Sequence, residues 1–80
     1  MELRQLRHFL EVYRRASFGQ AADALGLTQP ALSKSIRNLE LELKVALLER
    51  GPAGVAPTAY GRLLVDYATL VDNESVSYTH

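Results

Sequence analysis

Cysteine is absent from these 80 residues, so neither a disulfide framework nor a thiolate metal site can form. No apolar run approaches the ~20 residues that a helix needs to cross a bilayer. The N-terminus alternates charge with leucine, which is not the pattern of a signal peptide. A glycine-rich phosphate loop is missing, and histidine occurs only as His8 and His80. With no cysteine nucleophile and no carboxylate pair set against a histidine, an enzyme is disfavoured. Excess charge is missing too, since nine Lys and Arg balance nine Asp and Glu. A DNA-binding domain is ordinarily basic, so the balance at first argues against one. Its distribution softens the objection. Through Arg62 all nine basic residues face six acidic ones, a local charge of +3, and Asp66, Asp72 and Glu74 then cancel it. These limits describe a soluble, cytoplasmic protein of one small domain with a modest core, no cofactor and no metal.

What is present is concentrated between Ser17 and Leu43, in SFGQAADALGLTQPALSKSIRNLELEL. A short helical stretch, a glycine two residues before a capping threonine, and a longer helix with a polar face make a helix-turn-helix, the unit whose second helix enters the major groove of DNA. Ala21, Ala22 and Ala24 supply small side chains where two steeply crossing helices approach. Gly26 ends the first helix with a positive φ, which glycine adopts without strain. Leu27 points inward. Thr28 caps the next helix, and Pro30 fits its first turn, where a missing N–H costs nothing.

At 100° per residue, Leu32, Ile36, Leu39 and Leu43 form one buried stripe over this second helix, residues 28–43. Gln29, Pro30, Ser33, Lys34 and Arg37 fall on a different sector. Every surface helix has a polar face, but this one opens a capped helix behind a glycine turn. Gln29 can bond an adenine edge with two hydrogen bonds, Lys34 can reach guanine O6 and N7, Ser33 is short enough to allow close approach, and Pro30 can touch a thymine methyl. Arg37, farther along, is placed on phosphate.

The opening 43 residues closely resemble the N-terminal DNA-binding domain of LysR-type transcriptional regulators. The likeness rests on the S-F-x-x-A-A segment at Ser17, Phe18, Ala21 and Ala22 and the Q-P-A-L-S-[KR] segment from Gln29 to Lys34. It continues through Ile36, Leu39, Glu40, Leu43, Leu47, Glu49, Arg50, Thr58 and Gly61, over about the first 70 residues. The resemblance implies a mainly α fold with a small β-hairpin: a winged helix-turn-helix of three helices followed by a linker helix through which two subunits pair. It implies base contacts by Gln29, Pro30, Ser33 and Lys34, and sugar-phosphate contacts by Ser17, Phe18, Thr28 and Arg37, with Arg50 beside the wing in the same group. Lys44 stands where the family carries a glycine, and a lysine in a left-handed cap costs roughly 1–2 kcal/mol, which predicts a different helix end. Leu48 replaces the family's common phenylalanine. The wing residues 51–57 contain no basic side chain, which argues against a strong minor-groove contact there.

Outside the motif, Leu3, Leu6, Phe9, Leu10 and Tyr13 predict an amphipathic first helix over 2–15. Arg14 and Arg15 suit either phosphate or a solvated helix end, and His8 is given no role. Residues 46–50 and 55–57 can pair as two strands around Gly51-Pro52-Ala53-Gly54. Thr58 then caps another helix with Tyr60, Leu63, Leu64, Tyr67, Ala68 and Val71 on one side. Tyr60 and Leu64 are expected on the domain's own core. Tyr67, Leu70 and Val71 are expected in a symmetric helix pair, with Leu41 joining that surface. The domains read as 1–57 for the winged helix-turn-helix, 58–72 for the linker helix, and 73–80 as a frayed end or linker start.

The implied function is sequence-specific binding of double-stranded DNA by a homodimer. The alternative is a helix-turn-helix used for protein–protein assembly, favoured by the neutral charge and the apolar linker helix. Weak, salt-sensitive non-specific binding is expected from the modest charge, with affinity recovered by pairing two subunits on one site. Full-length members of the resembled family carry a large effector-sensing domain after the linker helix, so the chain reads as a fragment or a stand-alone domain, with no small-molecule effector site.

Overall fold

Three helices, a hairpin and a long fourth helix make up the computed structural model, which describes residues 1–79, with side-chain surroundings described through Leu70. Helix α1 (Leu3–Arg15) begins where the Glu2 N–H, one of the donors a helix start leaves free, donates to Gln5 Oε1 at 3.0 Å. Its buried face is Leu6, Phe9, Leu10 and Val12. Two members of the expected stripe are corrected: Leu3 and Tyr13 are exposed, while Val12 is fully buried. The reason is that α1 meets α2, α3 and the second wing strand together, so the covered arc is rotated from the one leucine spacing alone suggests.

Helix α2 (Phe18–Leu25) is capped by Ser17, whose Oγ accepts the Gln20 N–H at 3.1 Å. It stops at Gly26, φ 69°, and the Leu27 N–H closes the turn on the Ala22 carbonyl at 2.9 Å. Ala21 and Ala22 are buried at the crossing with its neighbours, but Ala24, expected there as well, is exposed. At 100° per residue Ala24 lies on the far side of the helix from Ala22, outside the arc that α1 and α3 cover.

Helix α3 (Gln29–Leu43) starts at Thr28, whose Oγ1 accepts the Ala31 N–H at 3.2 Å, and Pro30 lies in its first turn. Leu32, Ile36 and Leu39 are buried, whereas Leu43 stands at the rim, 36% exposed. The helix end differs from the expectation set by the missing glycine. Lys44 adopts the left-handed conformation itself, φ 61° and ψ 31°, and its N–H and that of Val45 both reach the Glu40 carbonyl. The strain is offset by an anchor on the same turn: Glu40 Oε2 accepts the Leu47 N–H at 2.6 Å and the Leu48 N–H at 3.3 Å.

Strands β1 (Leu48–Gly51) and β2 (Gly54–Pro57) pair antiparallel, Leu48 opposite Pro57 and Gly51 opposite Gly54. The first strand starts two residues later than the sequence suggests. The carbonyls of Ala46 and Leu47 are occupied by the Thr58 hydroxyl (2.6 Å) and the Thr58 N–H (3.0 Å), so they bind the start of α4 instead of a ladder partner.

Helix α4 (Ala59–Thr79) is capped by Thr58, whose Oγ1 accepts the Gly61 N–H at 3.1 Å. It runs seven residues beyond the boundary read at 72; no glycine or proline after Gly61 interrupts it. Gly61 is buried against β1's approach: a Cβ there would lie 2.2 Å from the Leu47 carbonyl oxygen. Leu64 and Val65 pack against the core and Ala68 is buried in it. Tyr60, expected beside them, is 57% exposed; at 100° per residue it falls on the neighbouring arc. Phe9, Val12, Leu32, Leu39 and Leu47 are the largest side chains sealed in the centre, and among the described residues no buried side chain is polar or charged. Among the same residues no helix is long and apolar enough to cross a membrane.

Candidate nucleic-acid interface

The outward face of α3 follows from its inward one. With Leu32, Ile36 and Leu39 locked into the core, Gln29, Pro30, Lys34 and Arg37 are exposed and Ser33 is half-buried. No acidic residue occurs between Thr28 and Leu39, so the polar side chains that the first turns present are amide, hydroxyl and cationic, with Pro30 exposed among them. The N-terminal ends of α2 and α3 come together at this face. A Cβ on Gly19 would meet Gln29 Nε2 at 3.3 Å, so the glycine lets the start of α2 approach the start of α3.

Ser17, Phe18, Gly19 and Gln29 line one open cleft with Arg50, Gly51, Gly54 and Val55 of the wing. Its wall carries the α2 N-terminus, where free backbone N–H groups and the helix dipole favour an anion. Phe18 is buried, Ser17 half-buried and Thr28 exposed. Arg50 joins the parts. Its guanidinium carbon lies 4.1 Å from the Phe18 ring centroid, and its Nη2 donates to Ser33 Oγ at 3.1 Å. Thus Ser17, Phe18, Gln29, Ser33 and Arg50 are brought to one place, and Lys34 and Arg37 stand free along the helix beyond it.

Three features at this site were not legible from spacing. The wing-to-helix contact of Arg50 crosses 17 positions, and the Glu40 carboxylate ties the wing's root to α3. His8, given no role above, makes a 2.8 Å hydrogen bond between Nδ1 and Ser35 Oγ, joining α1 to α3. Burial lowers its pKa from the usual 6.5, and the nearby Arg4 charge adds to the effect. Polar contacts between distant segments leave no periodic trace; only the Gly-Pro-Ala-Gly turn hinted that Arg50 would fold back.

On α4 the side chains of Tyr60, Leu63, Tyr67 and Leu70 fall within one arc and are all more than half exposed. Leu41 on α3 is 69% exposed. The Val71 side chain, expected in the same surface, lies outside the described residues.

Residues 3–62 match the family model of bacterial regulatory helix-turn-helix proteins of the lysR family. The chain belongs to the lysR family. Its architecture is the winged helix-turn-helix of lysR-family DNA-binding domains. It is 51% identical over 67 residues to the SDS degradation transcriptional activation protein of Pseudomonas sp. (strain ATCC 19151), covering 84% of this chain and 22% of that protein. Over 68 residues it is 50% identical to the HTH-type transcriptional regulator BenM of Acinetobacter baylyi, covering 85% of this chain and 22% of BenM. The chain therefore spans about a fifth of the length of these relatives, which are transcriptional regulators. Among solved structures, the BenM DNA-binding domain in complex with catB site 1 DNA has a TM-score of 0.87 at 48% identity, over 99% of this chain and 91% of that one. Full-length CbnR complexed with its target DNA has a TM-score of 0.81 at 34% identity, over 99% of this chain and 28% of CbnR.

Proposed function

We propose that this lysR-family chain is the DNA-reading part of a transcription regulator that acts as a homodimer in the cytoplasm. The observation that carries the reading is the exposed run of Gln29, Pro30 and Lys34, with Ser33 beside them, on the first turns of a helix anchored by Leu32, Ile36 and Leu39. The likeness to domains solved on DNA supports it.

In this reading α3 lies in the major groove. Gln29 bonds an adenine edge, Lys34 a guanine edge, Pro30 packs on a thymine methyl, and Ser33 bonds a base at close range. Ser17, Phe18 and Thr28 meet the sugar-phosphate backbone at the helix starts, and Arg37 and Arg50 hold phosphates. Residues 1–57 bind the duplex, and the helix from 58 pairs two subunits through Tyr67, Leu70 and Val71. Catalysis has no part in this role, and no effector site is assigned to these residues.

The test is an anisotropy titration against operator-like and scrambled duplexes at two salt concentrations. Preference for the operator should persist while binding to scrambled DNA falls steeply with salt. Equal binding of both at moderate salt would overturn the reading. That outcome would favour the assembly role, for which the zero net charge and the exposed α4 face speak.

A further inference from the structure

Ser33 is not free to choose its hydrogen-bonding role. Arg50 Nη2 donates to its oxygen at 3.1 Å while the guanidinium lies over the Phe18 ring, 4.1 Å from the centroid. The two contacts hold the guanidinium from two sides. The aromatic face sets its plane, and Phe18 is itself buried and therefore a fixed platform. Arg50 is placed by the hairpin, where it stands opposite Val55, one step before the Gly51–Gly54 pair that closes the turn.

A serine hydroxyl has one hydrogen and two lone pairs. Alone it could donate to a base acceptor or accept from a base amino group. With a cation donating into the oxygen, the hydrogen is directed away from the guanidinium. A second donor approaching that oxygen would also meet the positive charge. We propose that Arg50 makes Ser33 a one-way reader, a donor that selects acceptor edges such as guanine N7 and O6 or thymine O4 over the amino group of cytosine. The inference rests on the DNA-reading role of α3 proposed above. It makes Arg50 a positioning residue that sets base preference from the wing, in addition to any phosphate it holds.

The experiment is selection from a duplex pool randomised across the α3 footprint, followed by titrations of single-position variants. The proteins are the chain itself, Ser33→Ala, Arg50→Ala, Arg50→Lys and the double variant Ser33→Ala/Arg50→Ala, each checked for an unchanged circular-dichroism spectrum. The unaltered chain should prefer an acceptor edge at one position, and Ser33→Ala should reduce that preference by about three- to tenfold. Arg50→Ala should lose the same preference on top of a uniform drop in affinity. Arg50→Lys should restore the uniform part but not the preference, because an ammonium has neither the planar fork nor the ring stack. The double variant should be no less selective at that position than either single one. Uniform weakening by Arg50→Ala, with the base preference intact, would overturn the role of Arg50 alone. A donor edge selected by the unaltered chain would overturn it too. Preferences untouched by Ser33→Ala would overturn base reading by Ser33 and this inference with it.

Discussion

Gln29 opens α3 and Arg37 lies about two turns further along, and under the proposed DNA-reading role the two should fail differently. Gln29→Ala removes an amide able to make paired bonds to one base, so it should cost about 1–3 kcal/mol on the best site and relax preference at one position. Arg37→Ala should weaken all duplexes alike and lower the salt slope by about one; a base-selective loss would move Arg37 into the reading set. His8 gives a test in pH. Its folded-state pKa lies below 6.5, because of burial first and Arg4 second, so the unfolded chain binds the proton more readily. Stability from this group is complete above the unfolded value and is lost as pH falls from there through the folded pKa. Urea midpoints should therefore drop over that window in the unaltered chain and drop less in His8→Gln. Equal slopes would show that His8 does not contribute. Neither the His8 bond to Ser35 nor the contacts of Arg50 with Phe18 and Ser33 could be read from the sequence, because each joins two separate elements.

The helices owe their limits to local chemistry, and here sequence and structure agree most closely. Ser17, Thr28 and Thr58 each cap a helix by accepting an N–H three residues on, and Gly26 ends α2 with a positive φ. Lys44 shows where local preference is overridden. It takes the left-handed cap that glycine would fill without strain, held by the Glu40 anchor on Leu47 and Leu48. Lys44→Gly should raise stability by about 0.5–1 kcal/mol, the relieved strain less glycine's greater freedom when unfolded. Gly61→Ala should do the opposite. Alanine favours a helix by about 1 kcal/mol, yet its Cβ would lie 2.2 Å from the Leu47 oxygen, so the net loss should reach at least about 2 kcal/mol. Both follow from denaturant midpoints at unchanged m. The strand starting at Leu48 instead of Ala46 has the same kind of origin: Thr58 claims the carbonyls of Ala46 and Leu47.

At the scale of the whole molecule, α4 divides its apolar residues between two arcs. Gly61, Leu64, Val65 and Ala68 face the domain, and Tyr60, Leu63, Tyr67 and Leu70 face outward. Burying that second arc against a second copy would remove two leucines and two tyrosines from water, at about 25 cal/mol per Å² of apolar area. Tyr67→Asp and Leu70→Asp should therefore shift sedimentation from dimer to monomer and weaken operator binding by loss of the paired site. A monomeric unaltered chain, or dimerisation untouched by both changes, would remove α4 as the pairing element. Caps, turn glycine, proline and the leucine stripe of α3 belong to interactions within a few residues, so the order of helices, the turn and α3 with its exposed polar face followed from the sequence by itself. Which arc of α1 and α4 is buried, how Arg50 meets Phe18 and Ser33, and why Lys44 tolerates its backbone were decided only by the tertiary structure. Those depend on which surfaces meet across many positions, and periodicity locates an apolar face without saying what will cover it.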